Sequence, residues 1–196
     1  MLAEIFPVFC VGCNKFNEFL CNQCAESIKL SSEQTRPGFS FQAAFQYEGL
    51  MATALSRVKD GNQFGYIKVL AGYLNDCFQI TTDAQVLVPP STKKAFRKRG
   101  FEPCYEMAKQ AGWKVTKKLS RVRQTKDQQS LHFQQRQLNQ EKAFQLNEPG
   151  RFFLFDDVVT TGATVREMIR AVESAGGEVL GILALCSTGP KGANYE

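Results

Sequence analysis

One histidine, His132, and one tryptophan, Trp113, occur in 196 residues. The lone imidazole lies between Leu131 and Phe133 on an expected helix, which reads as a packed or surface position. No Ser-His-Asp or Cys-His set is evident, which lowers the hydrolase reading. No apolar run approaches the roughly 18 to 20 residues a membrane-spanning helix needs. The opening segment MLAEIFPVFC lacks a basic stretch and a small-residue cleavage site, so no secretory signal is expected and the chain reads as cytoplasmic. Internal repeats are absent. Aromatics are plentiful, with sixteen Phe and five Tyr, and only 22% of residues are charged, which excludes a disordered chain. A hydrophobic content of 43% supports a folded core, and the length suits one domain with a small module.

The net charge of +5 is unevenly spread. Residues 93–126 hold twelve Lys or Arg against two acids, Glu102 and Glu106, so this segment carries +10 and the rest of the chain −5. Such a block points to an anionic partner, although a solvated face explains any single lysine equally well.

Seven cysteines are present, and four form two Cys-x-x-Cys pairs, Cys10 with Cys13 and Cys21 with Cys24. Two such turns supply the four thiolates of a tetrahedral zinc site, closed to substrate and therefore structural. Gly12 and Asn14 suit the tight turns this requires. The competing reading, two redox disulfides, is disfavoured by a reducing cytoplasm. Cys77, Cys104 and Cys186 share no ligand spacing and read as buried, inert thiols.

Residues 1–30 form the expected zinc module, and 31–38, polar and Pro-containing, read as a linker to a domain over 39–190. Strands are expected at 39–47, 85–88, 113–119, 152–155 and 178–186. Helices are expected at 50–59, 64–78, 102–111, 131–140 and 163–174, with 121–130 a mobile loop. The order strand, turn, helix, strand near the C-terminus makes a βαβ unit and implies a parallel sheet.

The most informative segment is 152–164, FFLFDDVVTTGAT. An apolar strand runs into Asp156 and Asp157, then a small hydroxyl-rich turn, then a helix. Unpaired N–H groups of such a turn and helix start hold a phosphate, and carboxylates at a strand end accept hydrogen bonds from sugar hydroxyls. An N-cap alone would explain one threonine and leave the two acids unaccounted for.

This string resembles the phosphoribosyl pyrophosphate signature of the type I phosphoribosyltransferases. The paired Cys-x-x-Cys motifs, Tyr47-Glu-Gly49, Val58-Lys-Asp60, Val88-Pro-Pro-Ser91, Arg99-Gly-Phe101, Gln128 with Arg136 and Asn139, and Ala143-Phe144 occur in the order seen in the ComF family of competence proteins. Two departures are Glu102-Pro103, where that family usually has Asn and Gln, and Asp127 before Gln128, where Pro is common. The resemblance implies an α/β fold, a type I phosphoribosyltransferase-like parallel sheet flanked by helices, with a small N-terminal four-cysteine zinc module.

It further implies phosphoribosyl pyrophosphate as ligand with Mg²⁺. Asp156 and Asp157 would bind the ribose hydroxyls, and Val159, Thr160, Thr161, Gly162, Ala163 and Thr164 the 5′-phosphate. Pro90, Ser91, Thr92, Lys93 and Arg99 would cradle pyrophosphate, with Arg123 and Lys126 as catalytic residues on a loop that closes over it. Lys59 is placed near the sugar, and a cap over the acceptor is expected from 39–60. The family is implicated in uptake of transforming single-stranded DNA, in the cytoplasm or at the inner membrane face with other uptake proteins. Lys93, Lys94, Arg97 and Lys98, interspersed with aromatics, are accordingly DNA-binding candidates, because aromatics stack bases while cations follow the backbone. The alternative is a catalytically silent competence factor that binds DNA or protein and uses the site to sense a nucleotide-like ligand.

Overall fold

The computed structural model describes residues 9–16, 18–61, 63–80, 84–122 and 143–189. After the cysteine-rich start with its short helix α1 (Asn22–Ala25) come β1 (Glu33–Arg36), β2 (Phe39–Gln46), α2 (Gly49–Lys59) and α3 (Gly65–Cys77). Next are β3 (Gln85–Leu87), α4 (Lys93–Arg99), α5 (Pro103–Gln110), β4 (Val115–Thr116) and β5 (Leu119–Arg121). The last elements among the described residues are β6 (Phe144–Leu146), β7 (Arg151–Val159), α6 (Ala163–Ser174) and β8 (Glu178–Ser187).

Six strands form one sheet in the order β1-β2-β8-β7-β3-β4. Every pairing is parallel except the β1–β2 hairpin at one edge. The central strands β7 and β8 are almost continuously apolar because helices cover both faces, as parallel sheets require. One face packs Leu55, Val58, Ile67, Leu70, Leu74 and Met107 from α2, α3 and α5 against Phe155 and Leu185. The other packs Val165, Met168, Ala171 and Val172 of α6 against Phe152 and Leu154. A small antiparallel pair, β5 with β6, docks on α6, where buried Glu167 accepts from Phe144 N at 3.2 Å and Arg170 donates to Phe144 O at 2.6 Å.

Five local readings are corrected. Residues 33–36 are not linker but the edge strand β1, in register with β2 from Glu33↔Gln42 to Arg36↔Phe39. The stretch 39–46 is not a cap: it pairs with β8 inside the sheet, because its alternating Phe and Ala residues have helices to bury against. The strand at 113–119 splits between two sheets at Lys117-Lys118, and Cys77, last residue of α3, is exposed. Strand β7 also continues through the acid pair to Val159 rather than stopping at Phe155. The helix expected at 131–140 lies outside the described residues.

Candidate functional site

The four N-terminal thiols converge, their sulfurs all lying within 4.8 Å of one another. Cys21 Sγ is 3.7 Å from Cys10 Sγ and 3.6 Å from Cys13 Sγ, too long for disulfides. Sulfurs about 2.3 Å from a common tetrahedral ion are separated by about 3.8 Å, so the donor set fits zinc. Gly12 is required at the first turn, since a Cβ there would lie 2.7 Å from Cys24 Sγ. Burial works against the Cys10 thiolate, yet backbone N–H groups of Cys13, Cys21 and Gly12 prevail and lower its pKa to about 6. The turns rest on the main fold through Val11, buried with Phe45 and Leu55, and through Phe19, edge-on to Tyr66 at 4.9 Å.

Asp156 and Asp157 sit in the C-terminal half of the central strand β7, two residues before its end, 8% and 6% exposed. Their partners differ. Asp156 Oδ1 accepts from the backbone N–H of Asp157 at 3.0 Å and lies 3.8 Å from the Cys104 thiol of α5. Burial, reinforced by the neighbouring Asp157 charge, pushes the Asp156 pKa up to about 7. Asp157 Oδ1 pairs with Lys59 Nζ, at the end of α2, at 2.7 Å. Burial alone would lower the lysine, but the Asp157 charge and hydrogen bond outweigh it and hold the ammonium above its usual range. Cys104 and Cys186 are buried with raised pKa values, so both are inert thiols at neutral pH.

From the last residues of β7 into the start of α6, Asp156, Val158, Val159, Thr160, Thr161, Gly162, Ala163, Thr164 and Val165 line a cavity of about 220 Å³, counted into open solvent. Gly162 caps α6 with φ +79° and without a side-chain cap, so the first turn presents backbone N–H groups to this cavity's rim. Thr161 Oγ1 accepts from Ala163 N at 3.4 Å. Of the residues expected for the ribose and 5′-phosphate, Asp156, Val159 and Thr160 to Thr164 line this cavity and Asp157 does not.

The second anionic half-site candidate follows β3, whose C-terminal end runs beside β7. Residues Pro90, Ser91 and Thr92 form the turn, and Thr92 Oγ1 caps α4 by accepting from Ala95 N at 3.1 Å. Lys93, Lys94, Arg97 and Lys98 are exposed along α4, a helix with no buried residue. Arg99 is instead turned inward, Nε donating to Lys59 O at 2.8 Å. Three contacts escaped the sequence reading. Glu102 Oε1 accepts from Ser91 N at 3.1 Å, Arg121 donates to Pro90 O at 3.3 Å, and Arg36 reaches the carbonyl of Thr160 at 3.0 Å. Each joins residues distant in sequence with no motif of its own. Arg123 and Lys126 lie outside the described residues.

The model of the phosphoribosyl transferase domain matches residues 95–194. The chain is 29% identical over 143 residues to Competence protein ComFC of Streptococcus pneumoniae, covering 71% of this chain and 64% of that protein. It is 48% identical over 44 residues to orotate phosphoribosyltransferase of Novosphingobium aromaticivorans, 22% of this chain and 23% of that one. The chain therefore spans less than two thirds of the length of these relatives. Among solved structures, adenine phosphoribosyltransferase from Leishmania tarentolae aligns at 15% identity with a TM-score of 0.35, covering 63% of this chain and 71% of that one. With half of its length matched by that model, the chain belongs to the phosphoribosyl transferase domain family, as a ComFC-like member.

Proposed function

We propose that the chain binds phosphoribosyl pyrophosphate with Mg²⁺ and acts in the transfer of its phosphoribosyl group. The observation that carries this reading is the joining, within nine residues, of two buried carboxylates at a central strand's end to a hydroxyl-rich turn opening on a helix start. Asp156 and Asp157 take the ribose hydroxyls, and Thr160 to Thr164 take the 5′-phosphate with backbone N–H and hydroxyl donors. The Ser91–Lys93 turn, beside α4, takes the pyrophosphate, and Arg123 and Lys126 are assigned by sequence position to its departure.

Oxygen donors are what Mg²⁺ demands, and the acid pair offers them, although Asp157 is already paired with Lys59. When bound, the ion would be held by the carboxylates of Asp156 and Asp157 and would supply charge neutralisation for the leaving pyrophosphate. The ligand-sensing reading, in which the same site holds the donor without transfer, is the second one. Incubation with the donor, Mg²⁺ and a panel of acceptors including single-stranded DNA separates them. Pyrophosphate release above that of Asp157→Ala supports transfer; donor binding without release for any acceptor selects the sensor.

Zinc at Cys10, Cys13, Cys21 and Cys24 is structural in this reading. The exposed cations of α4, with Phe96 46% exposed among them, support a role on single-stranded DNA. Affinity for a single strand should then fall steeply with salt, and fall again when Lys93, Lys94, Arg97 and Lys98 are replaced together by Ala. Unchanged affinity in that variant contradicts the DNA assignment. Among the described residues no helix is long and apolar enough to cross a membrane.

A further inference from the structure

We infer that the β1–β2 hairpin is a positioning device for the phosphate turn, with Arg36 as the residue that orients its peptide groups. The inference rests on the reading of residues 160–164 as a 5′-phosphate site. The hairpin closes through Pro37-Gly38, Gly38 at φ +91°, and its last register pair is Arg36↔Phe39. Both side chains of that pair grip the turn that follows β7. Arg36 Nε donates to Thr160 O at 3.0 Å, one terminal nitrogen to Thr188 O at 2.6 Å, and the other to its neighbour Thr35 O at 2.9 Å. The Phe39 ring lies against Gly162, where a Cβ would come within 2.6 Å of it.

The chemistry follows from peptide geometry. In a trans peptide the C=O and the following N–H point in opposite directions. Turning the Thr160 carbonyl toward Arg36 therefore turns the Thr161 N–H away from it. It also removes a carbonyl oxygen that would repel a phosphate. Neither Arg36 nor Phe39 lines the cavity, and each Arg36 nitrogen already donates to a carbonyl, so the guanidinium shapes the turn rather than touching the ligand. Its ring contact with Phe41, 5.4 Å from guanidinium carbon to centroid, keeps the fork in place. An edge strand that joins the sheet by only four residue pairs thereby acquires a purpose.

The test compares two ligands that occupy different halves of the site. Calorimetry with ribose 5-phosphate and, separately, inorganic pyrophosphate is run on the full chain, on Arg36→Ala and on Arg36→Lys, with melting temperatures alongside. Loss of the charge-assisted hydrogen bonds to Thr160 O and Thr188 O should weaken ribose 5-phosphate by about tenfold or more in Arg36→Ala, with pyrophosphate affinity held within about twofold. Arg36→Lys keeps the charge without the fork and should recover only part of the loss. Equal weakening of both ligands, unchanged ribose 5-phosphate affinity in Arg36→Ala, or full recovery in Arg36→Lys each overturns the inference alone. A wild-type chain that binds no ribose 5-phosphate overturns the phosphate reading and this inference together.

Discussion

At the scale of single residues the site is asymmetric. Asp157 faces an ammonium at 2.7 Å, while Asp156 is buried beside that same carboxylate and a thiol, with its pKa raised to about 7. The unfolded chain gives up the Asp156 proton near pH 4, whereas the folded chain keeps it to about pH 7. Between those values the folded state binds more protons, so stability falls as pH rises from about 4 to about 7 and then levels off. Asp156→Asn should flatten that slope and raise stability at pH 8 by an amount on the order of a few kcal/mol, read from urea unfolding at pH 5 and pH 8. A slope unchanged in the variant assigns it elsewhere. Glu102 offers a second case, because its carboxylate occupies Ser91 N–H, where a pyrophosphate oxygen is proposed to bind. Glu102→Ala should raise inorganic pyrophosphate affinity by a few-fold through removal of a like charge; no change would place that anion elsewhere.

At the scale of elements, the phosphate turn depends on a left-handed residue held under a ring. Gly162→Ala adds a Cβ at φ +79° and drives it into Phe39. The backbone alone costs about 1–2 kcal/mol, so we predict a lower melting temperature and a loss of ribose 5-phosphate affinity larger than that of pyrophosphate. Equal affinities in variant and wild type would mean the turn is not the phosphate site.

The elements differ in how legible they were. Helix α6 was readable to its ends because a turn with Gly162 precedes it and Gly176-Gly177 follow it, with apolar spacing between. Strand β1 was not, since Glu33, Gln34, Thr35 and Arg36 carry no apolar signal and are ordered by pairing with β2. Helix α4 was likewise hidden, having no buried face, only the Thr92 cap and Gly100 at its end. Lys59 illustrates the same limit within the site: its place in the sequence hinted at the sugar, but the pairing with Asp157 spans 98 positions and only the fold reveals it.

At the scale of the whole molecule, the +5 of the chain separates into a +10 segment at 93–126 and an acidic remainder, with the candidate anion turns at the strand ends of one sheet. The four-cysteine centre anchors the N-terminal residues to this body through Val11 and Phe19. One zinc per chain is expected by elemental analysis, lost in Cys21→Ser together with a fall in melting temperature. A Cys21→Ser chain that retains zinc contradicts the four-thiolate assignment. The central claim, that the strand-end acids and the turn after them form a phosphoribosyl pyrophosphate site, is tested most directly by calorimetry of the zinc-loaded chain with that donor and Mg²⁺. The account predicts one site per chain, abolished in Asp157→Ala; absence of binding by the wild-type chain would contradict it.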